Sequence, residues 1–266
     1  MDNIDRTGGN MSFENTVALV TGGTGGLGEA TVRTLHEAGA ALIIADVADD
    51  RGAALADELG PRAAYVHTDV LDDASVMAAL AEADKLGELR HVVIAHGGFG
   101  VGDRIVNREG KPAPLEGFKK TIDLYLTGTY NVLRLAAAKM ASQNPGPAGE
   151  RGSVVMTASI AGFEGQIGQS AYASAKGGVI GLTLVAARDL SSTGIRVNTV
   201  APGTMLTPTM AQVGEDALAA FAKNVPFPKR LGTPIEYANL VQHLLENTYV
   251  NGEVVRIDGA QRFQPR

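Results

Sequence analysis

The sequence predicts an α/β fold, a single domain built as a doubly wound, seven-stranded parallel sheet with helices on both faces. Three observations point there. Short β-branched or aliphatic runs alternate with alanine-rich segments of helical length along most of the 266 residues. Neither a repeat nor a low-complexity linker interrupts that alternation. Seven strand candidates in one unbroken strand–helix alternation favour a single doubly wound domain covered by helices on both faces.

Element by element, residues 1–12 are polar and aperiodic and read as a flexible tail, with Met11 an alternative start; residues 13–266 form the domain. Strands are expected at Thr16–Val20, Ala41–Ala45, Ala63–His67, Val92–Ala95, Ser153–Thr157, Ile195–Val200 and Glu253–Ile257. Helices are expected at Leu27–Ala38, Arg51–Leu59, Ala74–Lys85, Gly117–Ala141, Tyr172–Leu190 and Pro234–Glu246. Two stretches stand outside the alternation. One is 97–114, which carries Arg104, Arg108 and Lys111; the other is 204–230, with Pro208, Pro226 and Pro228. Both follow strands at their carboxyl ends, where open α/β sheets take ligands, and both are expected to wall a substrate.

Composition narrows the function. Without cysteine there is no disulfide scaffold, no thiolate metal site and no cysteine nucleophile. The excess of 29 acidic over 23 basic residues disfavours nucleic acid as a partner. No apolar run reaches the ~18 residues of a membrane span, and the start lacks a signal-peptide core. These features lead to the expectation of a cytoplasmic protein that does not engage a membrane. The five histidines show no metal-ligand spacing, so no metal is expected, and the absence of G-x-S-x-G counts against a serine hydrolase.

The first expected strand runs into TGGTGGLG, residues 21–28, and then a helix. Glycines there let backbone amides approach a pyrophosphate at a helix N-terminus, the arrangement of the Rossmann fold. Thr21, Gly22, Thr24, Gly26, Leu27 and Gly28 are the expected contacts. Asp46 ends the second strand 20 residues beyond Gly26. Its carboxylate suits the ribose hydroxyls of NAD and repels the 2′-phosphate of NADP, with no lysine or arginine in the glycine loop or in 47–50 to offset it. Capping the following helix is the competing role for Asp46.

Tyr172 and Lys176 lie four apart at the start of an expected helix and share one face. A phenol titrates near ~10, and a neighbouring ammonium lowers that value. Such a pair exchanges protons with a carbonyl or alcohol oxygen. Ser159, ending the fifth strand, is placed to hold the same oxygen. His96, ending the fourth, reads more readily as a histidine bonded to backbone than as a reacting group.

These residues together resemble the short-chain dehydrogenase/reductase family over nearly all of 13–264. Its TGxxxGxG matches Thr21, Gly22, Gly26 and Gly28, and its adenine-side Asp-Val matches Asp69 and Val70. Its catalytic serine and Y-x-x-x-K match Ser159, Tyr172 and Lys176, and its Pro-Gly with a following threonine matches Pro202, Gly203 and Thr207. Within the family the chain is similar to the 3-hydroxyacyl-CoA dehydrogenases that also oxidise hydroxysteroids, through AGFEGQIGQSAYASAKGGVIGLT, VPFPKRLG and NGEVVRIDGAQRFQP. The resemblance implies NAD as cofactor and hydride transfer to it from a secondary alcohol or acyl-CoA substrate. Tyr172 would be the base, Ser159 would hold the substrate oxygen and Lys176 would bind the ribose. It also implies a homotetramer packed through the 117–141 and 172–190 helices and the last strand. A hydroxysteroid or other bulky alcohol is the alternative substrate; a non-catalytic NAD-binding scaffold or sensor is the alternative of another class.

Two departures from the family pattern bear on rate. Asn-Asn-Ala-Gly reads Ile94-Ala95-His96-Gly97, leaving Ala95 and Gly97 as expected cofactor contacts. An asparagine that helps to hold a proton-relaying water in the family is Tyr125 here. If the phenol blocks that relay, Tyr125→Asn raises the rate.

Overall fold

Apolar strands buried on both faces set the architecture. The structure, a computed structural model of the chain, describes residues 11–98 and 102–265. Within these, β1 (Thr16–Thr21), β2 (Ala41–Asp46), β3 (Ala63–His67), β4 (Glu88–Ile94), β5 (Gly152–Thr157), β6 (Ile195–Pro202) and β7 (Val254–Ile257) form one sheet. Their order is β3-β2-β1-β4-β5-β6-β7, and every pairing is parallel. The order reverses direction between β1 and β4, so the crossovers leave on opposite sides there and open a crevice at the carboxyl ends.

Side chains alternate between two cores. Leu19, Ile43, Val92, Val154 and Val197 face α3 (Asp73–Glu82), α5 (Gly128–Ala141) and α6 (Ser170–Asp189). Ala18, Val20, Ile44, Val93 and Val155 face α1 (Gly26–Glu37), α2 (Asp49–Leu59) and α9 (Pro234–Glu246), whose Tyr237 is fully buried. Helices on both faces explain why β1 and β2 read as unbroken apolar runs.

Four features differ from the sequence expectation. Within the expected tail, Met11 is buried and donates its N–H to the Glu246 carbonyl at 3.1 Å; residues 1–10 lie outside the described residues. The expected helix 117–141 is two, α4 (Leu115–Ile122) and α5, joined by a widened π turn at Asp123–Thr127. Hydrophobic periodicity does not register a one-residue bulge. The expected loop 97–114, of which 99–101 lie outside the described residues, holds a small hairpin. Val106 bridges Pro112, and Asn107 Oδ1 accepts from the N–H groups of Glu109 and Lys111. The stretch 204–230 contains the short helices α7 (Pro208–Ala211) and α8 (Glu215–Lys223).

Candidate active site

A cavity of about 750 Å³ occupies the crevice at the β1/β4 reversal. That size lies within the range of small-molecule sites. Its floor is the glycine turn between β1 and α1. Here glycine is a steric requirement: a Cβ on Gly28 would stand 2.0 Å from the Gly22 carbonyl oxygen, and one on Gly26 2.8 Å from Pro208 Cδ. Gly22 also has φ +65°, with its would-be Cβ 2.5 Å from His96 Cα. A bare backbone opening onto a cavity at a helix N-terminus is a cradle for an anionic group, so the residues present fit a dinucleotide.

Of the sequence-predicted contacts, Gly22, Gly26, Leu27, Gly28, Asp46, Asp69, Val70, Ala95, Gly97, Pro202, Gly203 and Thr207 all line this cavity, as do Ser159, Tyr172 and Lys176. Thr21 and Thr24 do not; they stand behind the wall and orient what does. The Thr21 hydroxyl lies 2.9 Å from His96 Nδ1, and His96 Nε2 lies 3.0 Å from the Leu124 carbonyl. A carbonyl only accepts, so Nε2 carries the proton and Thr21 donates to Nδ1. Burial, with the Lys176 charge behind it, pushes His96 down to about 4. His96 is therefore a neutral brace tied to backbone.

Thr24 holds Asp46. One carboxylate oxygen accepts from the Thr24 N–H at 3.0 Å and hydroxyl at 2.7 Å; the other accepts from the N–H groups of Val47 at 2.8 Å and Ala48 at 3.2 Å. Asp46 thus braces the approach to α2 and faces the cavity together, and the rotatable Thr24 hydroxyl is the partner most readily exchanged for a ribose hydroxyl. Arg51 lines the cavity nearby and lies 3.4 Å from the Thr24 carbonyl. It stands one residue beyond 47–50, and the first turn of α2 brings it over the pocket.

Across the cavity, α6 places Tyr172 and Lys176 one turn apart. Lys176 is buried, its Nζ donating to the Thr157 carbonyl at 2.7 Å and standing 5.9 Å from the centroid of the Tyr172 ring. Burial pushes Lys176 down to about 7. The Tyr172 phenol differs from the sequence expectation of a lowered value: burial raises it, and the Ser159 hydroxyl beside it lowers it in part. Desolvation outweighs the ammonium because Lys176 turns toward Thr157.

Further wall residues come partly from the 204–230 stretch, as expected, and partly from segments not expected to reach the site. Gln166 and Gln169 come from the turn before α6, Met205, Met210 and Phe221 from the 204–230 stretch, and Phe263 from the chain's end. The last residues are pinned to that turn. Gln166 Nε2 donates to the Gln264 carbonyl at 3.0 Å, the Ile167 N–H to the Pro265 carbonyl at 3.0 Å, and Arg256 makes two bonds to Glu164 at 2.7 and 3.0 Å. Arg104, Arg108 and Lys111 do not line the cavity, and Lys111 pairs with Glu109 at 3.2 Å. Among the described residues, no helix is long and apolar enough to cross a membrane, and no group of three or more histidines and carboxylates is placed to hold a metal.

Comparison with known proteins agrees with this geometry. The short chain dehydrogenase family model matches residues 16–218. The 3-hydroxyacyl-CoA dehydrogenase type-2 of Drosophila melanogaster is 45% identical over 95% of this chain and 100% of its own length. That of Homo sapiens is 44% identical over 96% and 98%. The crystal structure of 3-hydroxyacyl-CoA dehydrogenase type-2 from Mycobacterium avium superposes with a TM-score of 0.94 at 64% identity, covering 96% of this chain and 98% of that one. The family match includes β1, the glycine turn, Ser159, Tyr172 and Lys176, and the chain is accordingly an oxidoreductase belonging to the short-chain dehydrogenase family.

Proposed function

We propose that the chain transfers hydride between NAD and a secondary alcohol or ketone of the 3-hydroxyacyl-CoA kind, with Tyr172 as acid and base. One observation carries this reading: the Tyr172–Lys176 pair and the glycine cradle face one cavity from opposite sides of the sheet reversal. When bound, the nicotinamide supplies the hydride acceptor. The chain's own residues do the rest. Ser159 orients the substrate oxygen, Tyr172 takes its proton during oxidation, and Lys176 binds the ribose and supplies positive charge. The testing experiment is a panel of 3-hydroxyacyl-CoA thioesters, hydroxysteroids and simple secondary alcohols, each with NAD and NADP and followed by nicotinamide absorbance. The apolar wall of Met205, Met210, Phe221 and Phe263 supports a hydroxysteroid as the second substrate class in that panel.

Asp46 carries the preference for NAD. Replacing it with alanine removes a carboxylate that repels the 2′-phosphate, and Arg51 beside it then acts unopposed. Asp46→Ala is expected to shift the NAD:NADP ratio of kcat/KM toward NADP by about tenfold or more. An unchanged ratio would refute the assignment of cofactor choice to this residue.

Arg104, Arg108 and Lys111 do not line the cavity, but they lie on the stretch whose Gly98 and Gly102 do, which supports a contact with the phosphates of a bound thioester's CoA. Reversing all three charges is expected to raise KM for an acyl-CoA by about three- to tenfold and leave KM for a steroid alone, since exposed charges act weakly. Equal effects on both substrates would remove the CoA contact from the reading. The exposed Tyr130 of α5 and the exposed Leu184 and Val185 of α6 support packing into a homotetramer through those helices.

A further inference from the structure

Lys176 is 3% exposed, yet the described residues give its ammonium a single hydrogen bond, to the Thr157 carbonyl. Another side is covered by an aromatic face: Nζ stands 4.7 Å from the centroid of the Tyr125 ring, nearer than it is to Tyr172. The two tyrosines meet edge to face, with centroids 5.1 Å apart and planes at 83°. The Tyr125 hydroxyl closes on the Gly98 backbone in both directions, donating to its carbonyl and accepting from its N–H at 2.8 Å. The turn carrying Tyr125 is fixed as well, because His96 donates to the neighbouring Leu124 carbonyl.

A desolvated ammonium is attracted to an aromatic face, which favours its charged form. The titratable groups around Nζ are Tyr125 from the π turn, Tyr172 from α6 and His96 beyond β4. His96 is neutral and Tyr125 is held protonated by burial, so neither supplies a charge that would do the ring's work.

We propose that Tyr125 is a positioning residue for the Tyr172–Lys176 pair: its ring face seats the ammonium, and its hydroxyl ties that ring to the Gly98 backbone at the cavity wall. The inference rests on the reading of Tyr172 and Lys176 as the reacting pair. It reverses the expectation that an asparagine at 125 is faster. The phenol forms one wall of the lysine's seat, and a short amide supplies neither ring face nor reach to Gly98.

The test compares Tyr125→Phe, Tyr125→Leu and Tyr125→Asn by two readouts. One is amide hydrogen exchange at Gly98 without added dinucleotide; the other is kcat and KM with NAD and 3-hydroxybutyryl-CoA. Loss of the hydroxyl is expected to speed Gly98 exchange about tenfold or more in all three. Loss of the ring is expected to lower kcat about tenfold in the leucine and asparagine variants with KM within about twofold, while phenylalanine, which keeps the face, loses less. If the leucine variant fails to fold, the contrast between phenylalanine and asparagine decides. Unchanged Gly98 exchange, phenylalanine as slow as asparagine, or asparagine at or above the parent rate each overturns the proposal. Tyr172→Phe separates the two levels. If it is inactive while the Tyr125 variants keep the parent rate, only this inference falls. If Tyr172→Phe itself turns over like the parent, the proposed function falls first.

Discussion

Tyr172→Phe is expected to lower kcat by about 10²–10⁴-fold, the range supplied by a positioned general acid or base, with dinucleotide affinity little changed. The ring, its place on α6 and its edge-to-face contact with Tyr125 survive the substitution; the proton acceptor does not. The pH profile sharpens the test. Alcohol oxidation needs the phenolate, and burial raises the Tyr172 phenol above its ordinary value. Hence kcat/KM for oxidation climbs with pH in the parent and loses that limb in the variant. Retained turnover with the limb intact would assign the proton transfer to another group. No turnover by the parent on any alcohol, with dinucleotide-dependent thermal stabilisation, would point instead to a scaffold or sensor.

Gly28→Ala is the second large effect, and it acts on binding and folding together. The added methyl would sit 2.0 Å from the Gly22 carbonyl oxygen and 2.7 Å from its carbonyl carbon, both backbone atoms that no rotamer change can move. The turn must open, which costs about 3 kcal/mol as overpacking. At this chain length that is a Tm loss of roughly 10 °C. An opened turn also misaims the amides that face the cavity, so dinucleotide binding is expected to weaken by at least about tenfold. Gly25→Ala is the milder comparison, since its methyl would meet the Gly22 carbonyl oxygen at 3.3 Å. Calorimetry and dinucleotide titration read both variants. Gly28→Ala with parental affinity and Tm would show that the turn is looser than its contacts indicate.

Much of this was legible in the sequence because each signal is local. β1 and β2 are near-continuous apolar runs and declare themselves, whereas the polar Glu88, Arg90 and His91 hid the first half of β4. The glycine turn, Asp46 and the Tyr172–Lys176 pair have spacings set by one turn or one strand–helix unit. What was hidden depends on distant parts of the chain. Arg51 reaches the cavity through the direction of α2, and Tyr125 meets Lys176 through a bulge that leaves the apolar pattern nearly unchanged. The raised Tyr172 phenol reflects desolvation by walls drawn from several loops, which a four-residue spacing does not encode.

The anchoring of Phe263 and Gln264 beside Gln166 has a consequence for biosynthesis. The glycine turn leaves the ribosome well before Phe263 does, and the nascent chain can assemble its cradle while translation continues. The wall that Phe263 adds is made long after Gly28, so the chamber for a second reactant is complete only once that later segment has emerged.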